Sequence, residues 1–228
     1  MQTAKFQLDP TRHAAPQVLD SLRSAIVSLQ LAPGSALDRN ELAKQFGVSQ
    51  TPVRDALIRL GEEGLVIVRA QHTTQVSRID VPAAREAHFL RRSLEVEIVR
   101  ELALKADDAT MDELRTRLAL QGRLAAKQDF VGFIAADKEF HRLMYVAADL
   151  PRLWTLVVRM SGHVDRLRLL HVPTAGKTEA IMRDHQAILD AIAAHDPQAA
   201  QDAVRHHLSG TLASLDEIQA KYPEYLVV

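Results

Sequence analysis

The residues of this sequence best suited to chemistry are one aspartate and three histidines in its second half. Asp137 and His141 are four residues apart, which places them on one face of a helix about one turn from each other. His185 and His207 stand in two later segments with helical periodicity. Three imidazoles and one carboxylate from three helices form a donor set that suits Zn²⁺, Ni²⁺ or Mn²⁺.

Apolar neighbours indicate that these side chains face inward. The flanking apolar residues are Phe140, Leu143 and Met144 for His141, Ile188, Leu189 and Ile192 for His185, and Val204, Leu208 and Leu212 for His207. A buried imidazole without a partner is costly, and metal coordination satisfies it. His206 competes with His207, because one step along a helix turns a side chain by about 100° and only one of the two can point inward. The residues alone also allow ordinary solvated histidines, so both alternatives stay open.

A second group of residues is suited to DNA recognition. In the segment that begins at Ser49, four apolar residues recur at helical spacing and must face inward: Val53, Ala56, Leu57 and Leu60. The outer positions then hold Gln50, Thr51 and Arg54. Gln and Arg read the edges of adenine and guanine, while Ser and Thr suit phosphates. Arg39 can reach a phosphate or a base, and His72 can reach the flanking minor groove.

The elements that position these residues form a winged helix-turn-helix over 10–78. A helix runs from Pro16 to about Leu29, Asp38 caps a second helix that ends at Gly47, and Ser49 caps a third that ends at Gly64. The β-branched runs 65–68 and 73–77 predict a short hairpin.

The rest of the chain predicts an antiparallel all-α bundle of six or seven helices over 82–220, so the protein as a whole is mainly α. Prolines at 82, 151, 173 and 197 can start helices, and we place helices near 82–106, 110–127, 129–147, 151–170, 174–195 and 197–220. Residues 77–80 are then a linker, and the final YPEYLVV is a loose tail.

The amino-acid composition excludes several classes of protein. The 228 residues hold 28 Lys+Arg against 29 Asp+Glu, with 47% hydrophobic residues, which is typical of a folded protein. The absence of cysteine excludes disulfides, thiolate metal sites and a cysteine nucleophile. We find no signal peptide and no apolar run of about 20 residues, and therefore expect a cytoplasmic protein with no membrane partner.

The first module resembles the DNA-binding domain of GntR-family transcriptional regulators over roughly residues 15–78. The resemblance rests on PGSALDRNELAKQFGVSQTPVRDALIRLGEEGLV. It implies that Arg39, Gln50 and Arg54 contact the operator. Gln50 stands where the family usually has Arg, which predicts a shifted base preference, and Thr73 replaces the usual glycine of the wing tip.

The second module resembles the all-helical FCD domain of the FadR subfamily over about 82–215. The matching motifs are D-x-x-x-H in ADKEFHRLM, then DHQAILDAIAAHDPQAAQDAV, then HL. The resemblance implies that Asp137, His141, His185 and His207 bind the metal, with Zn²⁺ as the expected ion. It also implies a cavity above the metal for a small carboxylate effector. Arg91 is the candidate carboxylate clamp, with His163, Arg166 and Arg168 as further candidates. The next helix of the family usually starts with Asn-Pro-x-Leu, and this chain has Asp149-Leu150-Pro151 there. This departure leaves the ligands intact.

We therefore predict a homodimeric, ligand-responsive repressor that reads the two half-sites of a pseudo-palindromic DNA operator. Two alternatives use the same four side chains. A metal-dependent hydrolase would leave the first module unexplained, and no second carboxylate stands at an obvious general-base position. A pure metal sensor would leave the cavity arginines without a role.

Overall fold

A computed structural model describes residues 8–68 and 74–228 of the chain. The chain divides into two compact units. Residues Met1–Val81 and Tyr222–Val228 belong to the N-terminal unit, and Pro82–Lys221 form the helical unit. No helix in the described parts of the chain is long and apolar enough to cross a membrane.

The N-terminal unit contains three helices, α1 (Ala14–Val27), α2 (Arg39–Phe46) and α3 (Gln50–Glu62). Asp38 caps α2 as predicted, since its carboxylate accepts hydrogen bonds from the backbone N–H groups of Asn40 and Glu41 at 2.7 and 2.9 Å. Gly47 has a φ of +65°, a left-handed conformation that glycine adopts without strain, and this residue makes the turn between α2 and α3. Ser49 stands at the N-cap of α3, but its hydroxyl makes no capping hydrogen bond.

A three-stranded antiparallel sheet completes the fold of this unit. Its strands are β1 (Ala36–Leu37), β2 (Val66–Ile67) and β3 (Thr74–Val76), in the order β1-β3-β2. The predicted hairpin is therefore present, with Val66 opposite Val76, and β1 is an addition that the sequence pattern did not predict. One core packs the helices and sheet together, with Leu22, Ile26, Val53 and Leu60 fully buried.

The linker predicted over 77–80 contains a short strand, and the prediction of a loose tail was wrong. Ile79–Asp80 form β4, and Leu226–Val227 form β5, which pairs with β4 in parallel after a 3₁₀ turn over Pro223–Tyr225. Ile79 is opposite Leu226 in this pair, and both side chains are buried. Burial of these two apolar side chains orders the last residues of the chain.

The helical unit consists of eight helices, three of them 10 residues or shorter, rather than the predicted six or seven. They are α4 (Val81–Lys105), α5 (Asp108–Ala126), α6 (Phe130–Ala147), α7 (Pro151–Met160), α8 (Gly162–His171), α9 (Lys177–Ala193), α10 (Pro197–Ala213) and α11 (Leu215–Lys221). Helices α5 and α6, α9 and α10, and α5 and α9 pack against one another around the largest apolar core.

Two serines explain the larger number of helices. The predicted helices 151–170 and 197–220 each divide, at Ser161 and at Ser214. Both hydroxyls donate to the carbonyl four residues earlier, that of Val157 at 2.7 Å and that of Gly210 at 3.4 Å. Such bonds compete with the helical ladder and bend a helix, and Gly162 weakens the first site further.

Candidate metal centre

Three helices of the helical unit bring the four predicted side chains to one point. Asp137 and His141 lie one turn apart on α6, His185 lies in the middle of α9, and His207 lies on α10. All four are buried, and one donor atom from each lies within 4.8 Å of the others. His185 and His207 follow Asp137 by 48 and 70 positions in the sequence. They meet Asp137 because α6, α9 and α10 surround one interior space.

The imidazoles meet through their Nε2 atoms. Nε2 of His207 lies 3.1 Å from Nε2 of His141 and 3.2 Å from Nε2 of His185. Asp137 faces the same point, with Oδ1 3.5 Å from Nε2 of His185 and Oδ2 3.9 Å from Nε2 of His141. The site therefore presents three nitrogen atoms and one carboxylate.

Each imidazole faces a side-chain oxygen on its opposite edge, and the contact of His207 is longer than a hydrogen bond. Nδ1 of His141 lies 2.8 Å from Oε2 of Glu95, and Nδ1 of His185 lies 2.8 Å from Oε1 of Gln121. Oδ2 of Asp184 lies 3.7 Å from Nδ1 of His207. These oxygen atoms only accept hydrogen bonds, so they favour the tautomer with its proton on Nδ1. The Nε2 lone pairs then point toward one another.

Burial keeps two of these imidazoles uncharged. Burial, assisted by Arg91, lowers the pKa of His141 to about 4, and burial next to His207 lowers the pKa of His185 well below its ordinary value. Neutral imidazoles cannot donate a proton from Nε2 in this tautomer, and converging lone pairs repel each other. A cation in the middle removes that repulsion, and the donor set fits Zn²⁺ or another borderline divalent ion.

The carboxylates around the site stay ionised. Burial alone would raise the pKa of Asp137, but the Arg168 guanidinium in contact with it, with the nearby imidazoles, holds that pKa well below its usual range. Burial opposes ionisation of Glu95 too, and Arg91 and His141 outweigh it, so that the pKa of Glu95 falls to about 2. Asp137 is therefore available as an anionic ligand at neutral pH.

The choice between the two neighbouring histidines of α10 follows from their exposure. The side chain of His206 is 78% exposed, whereas that of His207 is 4% exposed and faces the other donors. Only His207 is oriented toward the cluster.

A cavity adjoins the metal centre. It has a volume of about 30 Å³ and opens to solvent, and its walls consist of His88, Arg91, Val164, Arg168, Lys177, Ile181, His207, Leu208 and Thr211. Arg91 and Arg168 are buried and hold Glu95 and Asp137. The second guanidinium nitrogen of each, NH2 of Arg91 and NH1 of Arg168, is buried with no hydrogen-bond partner among the described residues.

The other two predicted effector residues lie elsewhere on α8. NH2 of Arg166 lies 2.9 Å from Nδ1 of His163, and Nε of Arg166 donates to the carbonyl of Gly162 at 3.1 Å. Neither residue lines the cavity. Their role toward an effector stays a prediction, whereas Arg168, the third candidate of this segment, does line the cavity.

Sequence reasoning missed several residues that complete the site. Glu95, Gln121 and Asp184 orient the imidazoles, and His88 and Lys177 line the cavity. Glu95 carries one signal, since it follows Arg91 by one helical turn. The remaining four occupy ordinary positions of amphipathic helices.

The predicted DNA-contacting residues lie on one exposed end of the helix-turn-helix. Ser49, Gln50, Thr51 and Arg54 are exposed along the first turn of α3, and Arg39 is exposed at the start of α2. The Gln50 amide donates to Oδ1 of Asn40, which joins the two helices. His72 and Thr73 lie outside the described residues.

Two family models match the chain. The model of bacterial regulatory proteins, gntR family, matches residues 14–76, and the model of the FCD domain matches residues 86–210.

Known proteins resemble the chain along most of its length. It is 37% identical to an HTH-type transcriptional regulator in the unstable DNA locus of Streptomyces ambofaciens, over 89% of this chain and 85% of that protein. It is 29% identical to the HTH-type transcriptional repressor RspR of Escherichia coli K12, over 98% of both chains. Among solved structures, E. coli McbR/YncC covers 90% of this chain and 98% of its own with a TM-score of 0.78 and 21% identity, which shows a shared fold.

Proposed function

This chain belongs to the GntR family of bacterial regulatory proteins and carries an FCD domain, and from that premise we propose that it is a repressor controlled by a small organic acid bound over a divalent metal ion. That it is a transcriptional regulator and not an enzyme follows from the family and the relatives. RspR is named a repressor, which supports the same direction of control here. The observation that carries the sensing half is the convergence of three Nε2 atoms and Asp137 at one buried point.

The N-terminal half of α3 is the proposed DNA-reading surface. Gln50, Thr51 and Arg54 are exposed there, and Arg39 lies at the start of the preceding helix. In a helix-turn-helix the second helix enters the major groove with its N-terminal residues on base edges. We assign Arg54 and Gln50 to bases, and Ser49, Thr51 and Arg39 to positions where phosphates are also within reach.

The metal centre and the cavity serve one purpose in this proposal. Asp137, His141, His185 and His207 hold the ion, which supplies a positive charge at the floor of the cavity. NH2 of Arg91 and NH1 of Arg168 lack hydrogen-bond partners among the described residues, although Oδ1 of Asp165 lies 3.9 Å from NH1 of Arg168. A carboxylate is the group that satisfies a guanidinium best. These open donors favour an organic effector over a site in which the metal itself is the signal. Assignment to the FadR subfamily rests on the same resemblance.

We propose that the protein acts as a homodimer. Two helix-turn-helix units related by two-fold symmetry read two half-sites of a pseudo-palindrome about one helical turn apart. Sedimentation with and without a selected operator tests this, with two chains per duplex as the expected result.

The function is tested by selecting bound sequences from random DNA with the purified protein. We expect a pseudo-palindromic site for the wild type, loss of enrichment for Arg54→Ala, and altered bases for Gln50→Arg. Arg115→Ala is the matched control, since Arg115 is an exposed arginine on α5 of the helical unit. Identical motifs for wild type and Gln50→Arg contradict the assignment of Gln50 to a base.

The proposed response to an organic acid needs a second measurement. Metal content of the purified protein is determined first, and operator affinity is then measured with citrate, malate and lactate over metal-loaded protein. We expect at least one acid to change the affinity by about 5- to 150-fold, the usual range of coupling between two sites. Unchanged affinity throughout, or a response to metal alone, refutes the proposed effector.

A further inference from the structure

Three cationic side chains line the cavity, and two of them already have an anionic partner. Nε of Arg91 donates to Glu95 at 2.7 Å, and Arg168 contacts Asp137. Both arginines are nearly buried, with 5% and 7% of their surface exposed. Their pairing leaves NH2 of Arg91 and NH1 of Arg168 as donors without hydrogen-bond partners among the described residues.

Lys177 differs from the two arginines. It is half-buried in the wall of the cavity, and no carboxylate in the described parts of the chain lies within ion-pair distance of its ammonium. Burial lowers the pKa of Lys177, the charge of Asp184 opposes that effect, and the charge of Arg168 adds a smaller lowering. Lys177 is also the first residue of α9, where the helix dipole disfavours a positive charge. Asp184, on the same helix but beyond ion-pair distance, is the charge that favours the ammonium.

A glycine on α10 provides the space in which this ammonium lies. A Cβ atom added at Gly210 would lie 2.8 Å from Nζ of Lys177. Gly210 is the only glycine among the 17 residues of α10. Glycine in a helix interior costs about 1 kcal/mol relative to alanine. The close approach of the Lys177 ammonium gives this glycine a structural reason.

The charges around the cavity indicate the charge of the missing ligand. Arg91, Arg168 and Lys177 are balanced by Glu95, Asp137 and Asp184, and histidines that bind a metal are neutral. A divalent ion bound to this set leaves two positive charges without a counter-charge. A ligand with one carboxylate neutralises half of that charge, and a ligand with two neutralises all of it.

We propose that Lys177, seated against Gly210, selects an effector that carries a second negative charge. The class is a small dicarboxylate with an oxygen next to one carboxyl group. That end faces the metal centre and Arg168, and the second carboxylate accepts hydrogen bonds from Lys177 and from NH2 of Arg91. This assignment rests on the proposed metal and effector function, and it adds the residue that distinguishes dianions from monoanions.

Malate and lactate test the assignment, because they share the α-hydroxy acid group and differ by one carboxylate. Calorimetric titration of metal-loaded wild-type protein is expected to give malate at least a ~10-fold tighter Kd than lactate, the scale of one charge-assisted hydrogen bond. Lys177→Met keeps the aliphatic stem and is expected to bring the two constants within about two-fold. Gly210→Ala displaces the ammonium and is expected to weaken malate binding with little effect on lactate.

A matched control separates this role from a general change of charge. Lys127→Met removes one exposed lysine at the end of α5 and is expected to leave both constants unchanged. Metal content is measured on every sample, so a protein that holds no metal counts against the proposed function and not against Lys177. Metal-loaded protein that binds neither acid, binds both equally, or keeps its preference in both the Lys177 and Gly210 variants overturns the inference.

Discussion

At the scale of single residues, a few buried polar groups carry most of the free-energy cost of burying polar atoms in the helical unit. His141, His185 and Asp137 are fully buried, and His207 nearly so. Their Nδ1 partners orient the rings but leave three Nε2 lone pairs facing one another. Buried polar atoms without partners destabilise a fold by a few kcal/mol each. A bound cation would change that cost into coordination energy, which is the role that the proposed function gives to this cluster.

The pair of neighbouring histidines on α10 provides a controlled test of the metal site. His207→Ala removes one of four donors and is expected to lower Zn²⁺ affinity by more than ~10-fold, measured by competition with a chelator. His206→Ala changes the same residue type one position away on an exposed side chain, and its affinity is expected to equal that of the wild type. Equal losses in the two variants would show that the cluster is not the binding site.

Stability of the metal-free protein should depend on pH through His141. Burial, with Arg91, lowers the pKa of this residue from 6.5 to about 4, so between these values the unfolded chain binds a proton that the folded chain does not. The free energy of unfolding therefore decreases as the pH falls through this window, by on the order of 3 kcal/mol. Glu95, whose pKa is lowered to about 2, extends the loss below pH 4.5.

Urea denaturation with EDTA at several pH values measures this dependence. Trp154 is the only tryptophan and lies on α7, so its fluorescence reports on the helical unit. His141→Gln should make the curve less steep between pH 6.5 and 4, where His185 still contributes, and His206→Ala should not. A wild-type curve that rises on acidification would contradict the neutral, buried state of His141.

At the scale of elements, the least expected feature is the strand pair β4–β5. The last residues of the chain pair with the segment that precedes α4, and Leu226 packs in a buried position opposite Ile79. Two residues of strand are too short to be stable by hydrogen bonds alone. Apolar burial at Leu226 must therefore supply most of the stabilisation of this pair.

Leu226→Asp tests that dependence. A carboxylate in this apolar position has no partner, so we expect β5 to separate from β4. Deuterium uptake by the segment 77–81 should then become at least ~10-fold faster. Val228→Asp places the same charge on a residue that is 73% exposed and should leave uptake unchanged. Protection of 77–81 in the Leu226 variant would mean that β4 holds without its partner.

At the scale of the whole molecule, the proposed function requires that two compact units communicate. Arg91 and Glu95 lie on α4, and α4 begins at Val81, the residue at which the N-terminal unit gives way to the helical unit. The same helix thus carries groups of the cavity and continues directly from β4. Allosteric coupling of this kind is an equilibrium property, so it acts equally in both directions.

Reciprocity gives a prediction that does not depend on the path of coupling. If an acid lowers operator affinity by some factor, saturating operator DNA must weaken binding of that acid by the same factor. Calorimetry of the acid against free protein and against the protein–operator complex measures this. Two unequal factors would indicate that a further equilibrium, such as aggregation, is coupled to one of the two measurements.

The sequence by itself predicted the mainly helical architecture and the four candidate metal ligands. Periodic apolar residues specify helices wherever they occur, Asp38 and Gly47 encode a cap and a turn locally, and the spacing of Asp137 and His141 places both on one helical face. Such signals act within a few residues, so they can be read without the fold. The long GntR and FCD motifs carried the same information about function.

Only the tertiary structure decided which atoms meet. The rotation of α10 about its axis selects His207 over His206, and packing of α4, α5 and α9 supplies Glu95, Gln121 and Asp184 to the imidazoles. Lys177 and Gly210, which are 33 positions apart in sequence, meet where α9 packs against α10. These contacts depend on how helices pack across the interior, and packing energy is spread over many residues that no local pattern records.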